Sequence, residues 1–307
     1  MSWLSFVHVV SCSLISSLPY LLALSVGIDA WNVTNRVEQH PDQLVDAEME
    51  MAMSRMAEIG CECLPSGILQ AYAFVKAEKK STAAYASIAL SAMATSFGAV
   101  VIGWDMDTSP TDRNLYPNFH GYVKNDPRSR TLTFVAMLVL TSTHVLAKTI
   151  AVALLMLTRV NWLMLYMVAD VAFFFLFKIV RGDFLYWMNI EGMGGVVIAI
   201  VIRFFAKVLT DFTLIMQFRH SKEVGGMLFC VTVVQIQVVC YMAAKLYLDY
   251  YDDGGEGNKV DSETFWTELA LLSGVFVVAV LAFALLIDSK YLTTFISSMT
   301  GPQCAED

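Results

Sequence analysis

Hydrophobic positions in this chain fall in long, nearly unbroken runs and do not alternate with polar ones. A helix needs about 20 largely apolar residues to cross a bilayer, because its backbone polar groups must bond internally there. Runs of that kind cover Trp3 to Ile28, Ser81 to Trp104, Thr131 to Leu157, Trp162 to Val180, Gly194 to Phe218, Met227 to Leu248 and Leu269 to Ile287. The pattern predicts an all-α fold, a polytopic transmembrane helical bundle of about seven spans. The first run could be a signal peptide. It lacks a basic n-region and exceeds a signal h-region in length, so an uncleaved helix is the favoured reading.

Between the first two runs the period changes. Val45, Met49, Ala52, Met56 and Ile59 recur every three or four residues and form one apolar stripe, with Glu48, Glu50, Arg55 and Glu58 on other faces. Asp42 is expected to cap this amphipathic helix and Gly60 to stop it. A second amphipathic piece, Ser66 to Lys80, gathers Ile68, Leu69, Tyr72 and Ala73. The organisation predicted is 1–80, a span or signal anchor plus amphipathic helices, and 81–307, the bundle. In the second run Ser87, Ser91 and Thr95 repeat every four positions, a seam that lets a neighbouring helix approach closely.

Composition agrees with the pattern. Hydrophobic residues make up 57% of the 307 and charged residues 16%, where a soluble domain carries about 25% charged. A net charge of -8 argues against nucleic acid, and six cysteines are too dilute for a disulfide framework. Orientation follows from Lys and Arg in short connections. The acidic stretch 249–265 is expected outside, and Arg219, Lys222, the Lys76, Lys79, Lys80 cluster and the C-terminus in the cytoplasm. The N-terminus then falls outside; the sequon Asn32-Val33-Thr34 agrees with an external N-terminal region but conflicts with Lys76 to Lys80 being inside, since no further crossing separates them. The stretch 105–130 conflicts with this scheme, since it would be external yet carries Arg113, Lys124, Arg128 and Arg130.

The candidate chemistry is the set of ionisable groups inside these runs. Arg203, Lys207 and Asp211 climb one helix face at four-residue spacing. Thr141, His144 and Lys148 share a face of the third run, Asp170 lies deep in the fourth, Gln235 and Gln237 lie in the sixth, and Glu268 opens the seventh. Charges at bilayer depth turn toward the bundle interior or a wet cavity. The expected polar core is therefore Lys148, Asp170, Arg203, Lys207 and Asp211, with His144, Gln235, Gln237 and Glu268 in support. Three bases against two acids suit an anion or a lipid phosphate.

Other patterns fall short. Cys61-Glu62-Cys63 has no second ligand pair for a metal. The scattered histidines and the absence of a nucleophile–base set argue against an enzyme, and no cofactor is expected. Leu269 to Ile287 contains neither a lysine for retinal nor the Asn-Pro-x-x-Tyr of G-protein-coupled receptors. Asp211-Phe212-Thr213, Gln217-Phe218-Arg219-His220 and Gly225-Gly226 follow the apolar block Thr131 to Arg181. This arrangement resembles large, uncharacterised families of multi-pass membrane proteins of algae and other protists, over Gly121 to Tyr250. The resemblance implies the architecture and no activity.

Two functional readings follow. One is a channel, transporter or lipid-handling protein with a charged path for an anionic group. The other is a non-transporting structural or signalling membrane protein whose buried charges are packing ion pairs. The expected partners are the lipid bilayer, an anion or lipid headgroup, and a second copy of the chain.

Overall fold

The computed structural model describes residues 28, 31, 47–77, 80–115, 120–181, 193–210, 227–252 and 262–287, and every regular element among them is helical. The run Trp3 to Ile28 (but for Ile28), the Asn32 sequon, the Asp42 cap and Asp211 lie outside the described residues. The chain divides into two compact units, Met1–Ser66 and Gly67–Asp307.

In the first unit, α1 (Ala47–Glu58) leads into a π-helical turn, Ile59–Cys63. Ala52 and Ile59 are buried and Met56 is half-buried, so these members of the stripe share one covered face. Gly60 does not stop the helix as expected. Glu58 and Leu64 both keep right-handed helical angles, and the turn simply widens between them. The reason lies at Pro65, whose ring would press on the Cys61 carbonyl in a regular α-helix and which has no N–H to give it. The next helix, α2 (Leu64–Lys76), carries the chain into the second unit. It buries Ala71 and packs Val75 on the core, while Leu69 and Ala73 are exposed. The face expected from Ile68, Leu69, Tyr72 and Ala73 is thus rotated.

The second unit continues with α3 (Thr82–Thr108), the short α4 (Pro110–Leu115), α5 (Pro127–Thr158), α6 (Val160–Arg181), α7 (Met193–Thr210), α8 (Met227–Asp252) and α9 (Ser262–Leu286). Five of these, α3, α5, α6, α8 and α9, are long and apolar enough to cross a membrane. Their ends are chemically marked. The Ser81 hydroxyl accepts the Ala84 N–H at 3.2 Å to cap α3, and Asp126 accepts the Ser129 N–H at 3.0 Å to cap α5 ahead of Pro127. That Ser129 bond holds the exposed Asp126 carboxyl below its ordinary 3.8.

Helix α5 is the hub, and α3, α8 and α9 each pack along it. Of its most apolar stretch 78% is buried, against 17% for α6 and for α9, so α5 runs inside and those two line the perimeter. On α3 the buried small residues are Ala92, Thr95, Ser96, Ala99 and Gly103. Of the expected seam Thr95 is buried, Ser91 half-buried and Ser87 exposed, so the covered face begins only in the second half of the run. Around α5 close Met137, Leu140, Leu154, Phe276, Phe283 and Tyr247.

At the end of α3 the chain ties itself to the bundle. Asp107 is wholly buried. Its Oδ1 accepts the Gly121 N–H at 2.7 Å and the Tyr122 N–H at 3.3 Å, and its Oδ2 accepts the Val123 N–H at 3.1 Å. Arg113 Nη2 stands 3.3 Å from the same oxygen, and Arg113 also donates to the Val123 carbonyl and Asn125 Oδ1. Gly121 adopts φ +105°, which lets the backbone turn its N–H groups onto the carboxylate. Tyr122 is thereby carried into the core against Phe283, with ring centroids 6.2 Å apart.

These contacts fix direction. Trp104 meets Phe134, and Tyr122, just before α5, meets Phe283 near the end of α9. Phe229 also meets Phe283, whereas Tyr247 stacks on Phe265 near the start of α9. Lys80 lies 3.5 Å from Glu268, whose carboxylate also accepts the Tyr85 hydroxyl. Hence α3, α6 and α9 run from the Lys80 end of the bundle to the Asp107 end, and α5 and α8 run back. One correction follows. Lys80 and the α8–α9 connection share one end, where opposite faces were expected. Helix α6 finishes, and α8 starts, at the same Asp107 end, and the expected span Gly194 to Phe218 is described as far as Thr210, as α7.

Two outcomes are expected. Single cysteines at Ala77 and Asp252 will be labelled by an impermeant thiol reagent from one side of sealed vesicles, and one at Asn114 from the other. Asp107→Ala will lower unfolding stability by on the order of 3 kcal/mol, since it strips a buried, charge-assisted network, with Asp107→Asn losing less; denaturant titration of the purified protein reads both.

Candidate functional site

The charged groups converge where α6, α7 and α8 meet. Asp170 sits at the middle of α6, in a run too apolar to compete for its carboxylate. Its Oδ2 lies 3.0 Å from Lys207 Nζ of α7, and its Oδ1 accepts a hydrogen bond from Gln235 Nε2 of α8 at 2.6 Å. The side chains of Asp170 and Lys207 are each 9% exposed. Lys207 also lies over the Phe174 ring, 5.9 Å from its centroid, so its ammonium meets a carboxylate and a π face together. One turn earlier on α7, Arg203 is 2% exposed, and Ala199 one turn before that is fully covered.

Taking an ion out of water costs several kcal/mol even after the protein relaxes. A helix of Gly, Val, Ile and Phe tolerates Arg203 and Lys207 only if both turn inward, and the four-residue spacing allows that. Gln235 belongs to the face of α8 that meets Asp170 of α6, whereas Gln237, two residues on, falls on the other side of the helix and is half-buried.

Lys148 and His144 lie on the hub, 5% and 1% exposed. The His144 ring is 6.1 Å from Phe276 of α9. Beside Lys148, Cys240 of α8 donates to the Ala147 carbonyl at 3.4 Å, which places these residues on the α5–α8 seam. Glu268 stands apart. It was expected to support the interior charges, yet it sits at the Lys80 end, more than a third exposed, engaged by Lys80 and Tyr85. The reason is that α9 begins at Ser262, earlier than its apolar run, so Glu268 lies in the second turn near the surface.

Two buried charges lie outside the polar core expected from the sequence. Lys178, close to the helix end of its apolar run, is 1% exposed. Its signal is spacing: Asp170, Phe174 and Lys178 follow at four-residue intervals on one buried stripe of α6. Asp107 was assigned to a loop, and nothing local marks it, because its partners come from residues 113–123. Among the described residues the buried cations of α5, α6 and α7 are Lys148, Lys178, Arg203 and Lys207, and the buried carboxylate is Asp170. Among them, too, no group of three His, Cys, Asp or Glu side chains comes together to hold a metal.

Removing one partner of a buried pair costs more than removing both. Asp170→Ala is expected to destabilise the protein by about 3 kcal/mol, and the double change Asp170→Leu with Lys207→Met by much less; a thermal-unfolding double-mutant cycle in detergent measures the difference. Among the described residues every regular element is helical and five helices are long and apolar enough to cross a membrane, and no family model, curated protein or solved structure matches the chain.

Proposed function

We propose that this chain is an integral membrane channel, transporter or lipid-handling protein whose charged intramembrane path takes an anionic group. The observation that carries the reading is the Lys207–Asp170 contact of 3.0 Å, with Arg203 covered one turn away. A carboxylate at that place is a resident stand-in for an anionic guest. An incoming phosphate or other anion would exchange with Asp170 at Lys207, and Arg203 would supply the planar, two-pronged grip that suits an oxyanion. Gln235 would keep Asp170 oriented while Lys207 changes partner. Lys148 and Lys178 extend the positive lining along α5 and α6.

The Asp107 end is proposed to face the cytoplasm. Its connections carry Arg113, Lys124, Arg128 and Arg130, followed by Arg181, Arg219, Lys222 and, beyond α9, Lys290. The opposite end has Lys76, Lys79, Lys80, Arg159 and Lys259, the last within an acidic stretch. The basic bias therefore favours the Asp107 end as inside. In this scheme residues 105–130 no longer conflict with the rest, and the C-terminus stays cytoplasmic.

One observation favours a second reading. Asp170 is held by Gln235 at 2.6 Å as well as by Lys207, so a single carboxylate ties three helices together. Such a knot could fix helix register with nothing transported.

Purified protein in proteoliposomes separates the two. On the path reading, wild type carries anion or scrambles an anionic lipid, and Arg203→Ala with Lys207→Ala lowers that rate by about tenfold or more, the loss of two charge-assisted contacts. Equal rates from two folded proteins would leave the knot as the better account.

A further inference from the structure

Most hydroxyls inside this bundle follow one habit, which Thr133, Thr141 and Ser142 of α5 break. Thr95 bonds back to the Ser91 carbonyl at 3.0 Å and Ser96 to that of Ala92 at 2.6 Å. Thr143, Thr149 and Thr158 do the same to Val139, Val145 and Leu154. A back-bonded hydroxyl needs nothing further from its surroundings. Thr133 and Thr141, both 0% exposed on α5, make no such bond, and their Oγ1 atoms are buried with no hydrogen-bond partner in the protein.

We propose that the Thr133–Thr141–His144–Lys148 face of α5 binds water inside the bundle, anchored at the Thr141 hydroxyl, and that this water connects Lys148 with the aqueous phase at the Asp107 end. Thr141, His144 and Lys148 lie on successive turns, three and four residues apart, and turn toward one side of the helix. They offer a hydroxyl, an imidazole and an ammonium to a single small guest. Water is held in protein interiors where two to four polar groups converge. It is also the smallest molecule that can both give to and take from a hydroxyl. Thr133 lies about 12 Å nearer the Asp107 end, two turns and a fraction along the helix, and marks a second water position. Met137 separates the two on the same face, and its unbranched thioether can swing where a β-branched side chain could not.

The role of Lys148 in a path rests on the function proposed above; its hydration does not. The contrast is between a wet face of α5 and a dry one. In the dry case the two threonines would each bury an unmatched hydroxyl, whereas Thr95, Ser96, Thr143, Thr149 and Thr158 satisfy theirs locally.

The test uses the full-length protein in sealed vesicles, with Thr141→Cys, Thr133→Cys and, as a dry reference on another face of α5, Ala153→Cys; Ala153 is also 0% exposed. A cysteine thiolate attacks the sulfenyl sulfur of a small cationic methanethiosulfonate, forming a mixed disulfide and releasing methanesulfinate. The thiolate forms only where water reaches the sulfur, so Thr141→Cys should react about tenfold faster or more than Ala153→Cys. Peptide mass spectrometry separates these sites from the native cysteines. Equal, slow reaction at Thr141→Cys and Ala153→Cys overturns the proposal. Should the cysteine variant fail to fold, Thr141→Val decides. A lower Tm means a bound water was lost, and an unchanged or higher Tm means an orphaned hydroxyl was relieved and overturns it. Labelling at Thr141→Cys in a protein with no anion flux would keep the water site and remove the path.

Discussion

The bundle depends on the burial of α5. Packed by α3, α8 and α9, it buries 78% of its most apolar stretch and leaves Leu132, Val135 and Val139 outside, so most of its side chains answer to protein packing. That is why it can carry threonines, a histidine and a lysine among Met137, Leu140 and Leu154 while the perimeter helices stay almost wholly apolar. The small residues of α3 and the alanines of α8 bring backbones close to the hub. Association in lipid relies on such packing, since tails are as apolar as leucine.

Charge is placed by the same logic. At the Asp107 end a carboxylate is saturated by three backbone N–H groups and a guanidinium, all fixed by one turn of irregular chain. Deeper in, Asp170 has one mobile partner, Lys207, and one amide, Gln235. The first arrangement has little to exchange. The second offers an ammonium on a flexible stem, which can change partners without moving the backbone. The difference between the two carboxylates is the physical distinction here between an ion pair that fixes a loop and the one proposed above to exchange its partner.

How far the residues disclosed this varies with the range of the interaction. Helices written as single apolar runs were legible, and five of them stand where the runs predict. The convergence of Asp170 and Lys207 was legible too, since charges in such runs have few places to go. The shared end of Lys80 and the α8–α9 connection was not, because hydropathy counts crossings but not which end of the bundle a helix starts from. Aromatic pairs such as Phe229–Phe283 decide that, and they join residues far apart in the chain. Gly60 misled because a glycine stop is a local rule, and Pro65 reshaped the turn from the other side. Lys178 stood outside the expected core because of its closeness to a helix end, despite its eight-residue spacing from Asp170.

The link between α5 and α6 is one extended residue, Arg159. A connection that short leaves the two helices no freedom to separate. In the membrane setting proposed above, they would partition into the bilayer as a paired unit, with the tip carried across as a single charged residue instead of a hydrated loop. Lengthening that tip would then uncouple the pair and open a choice of topologies that the natural sequence withholds.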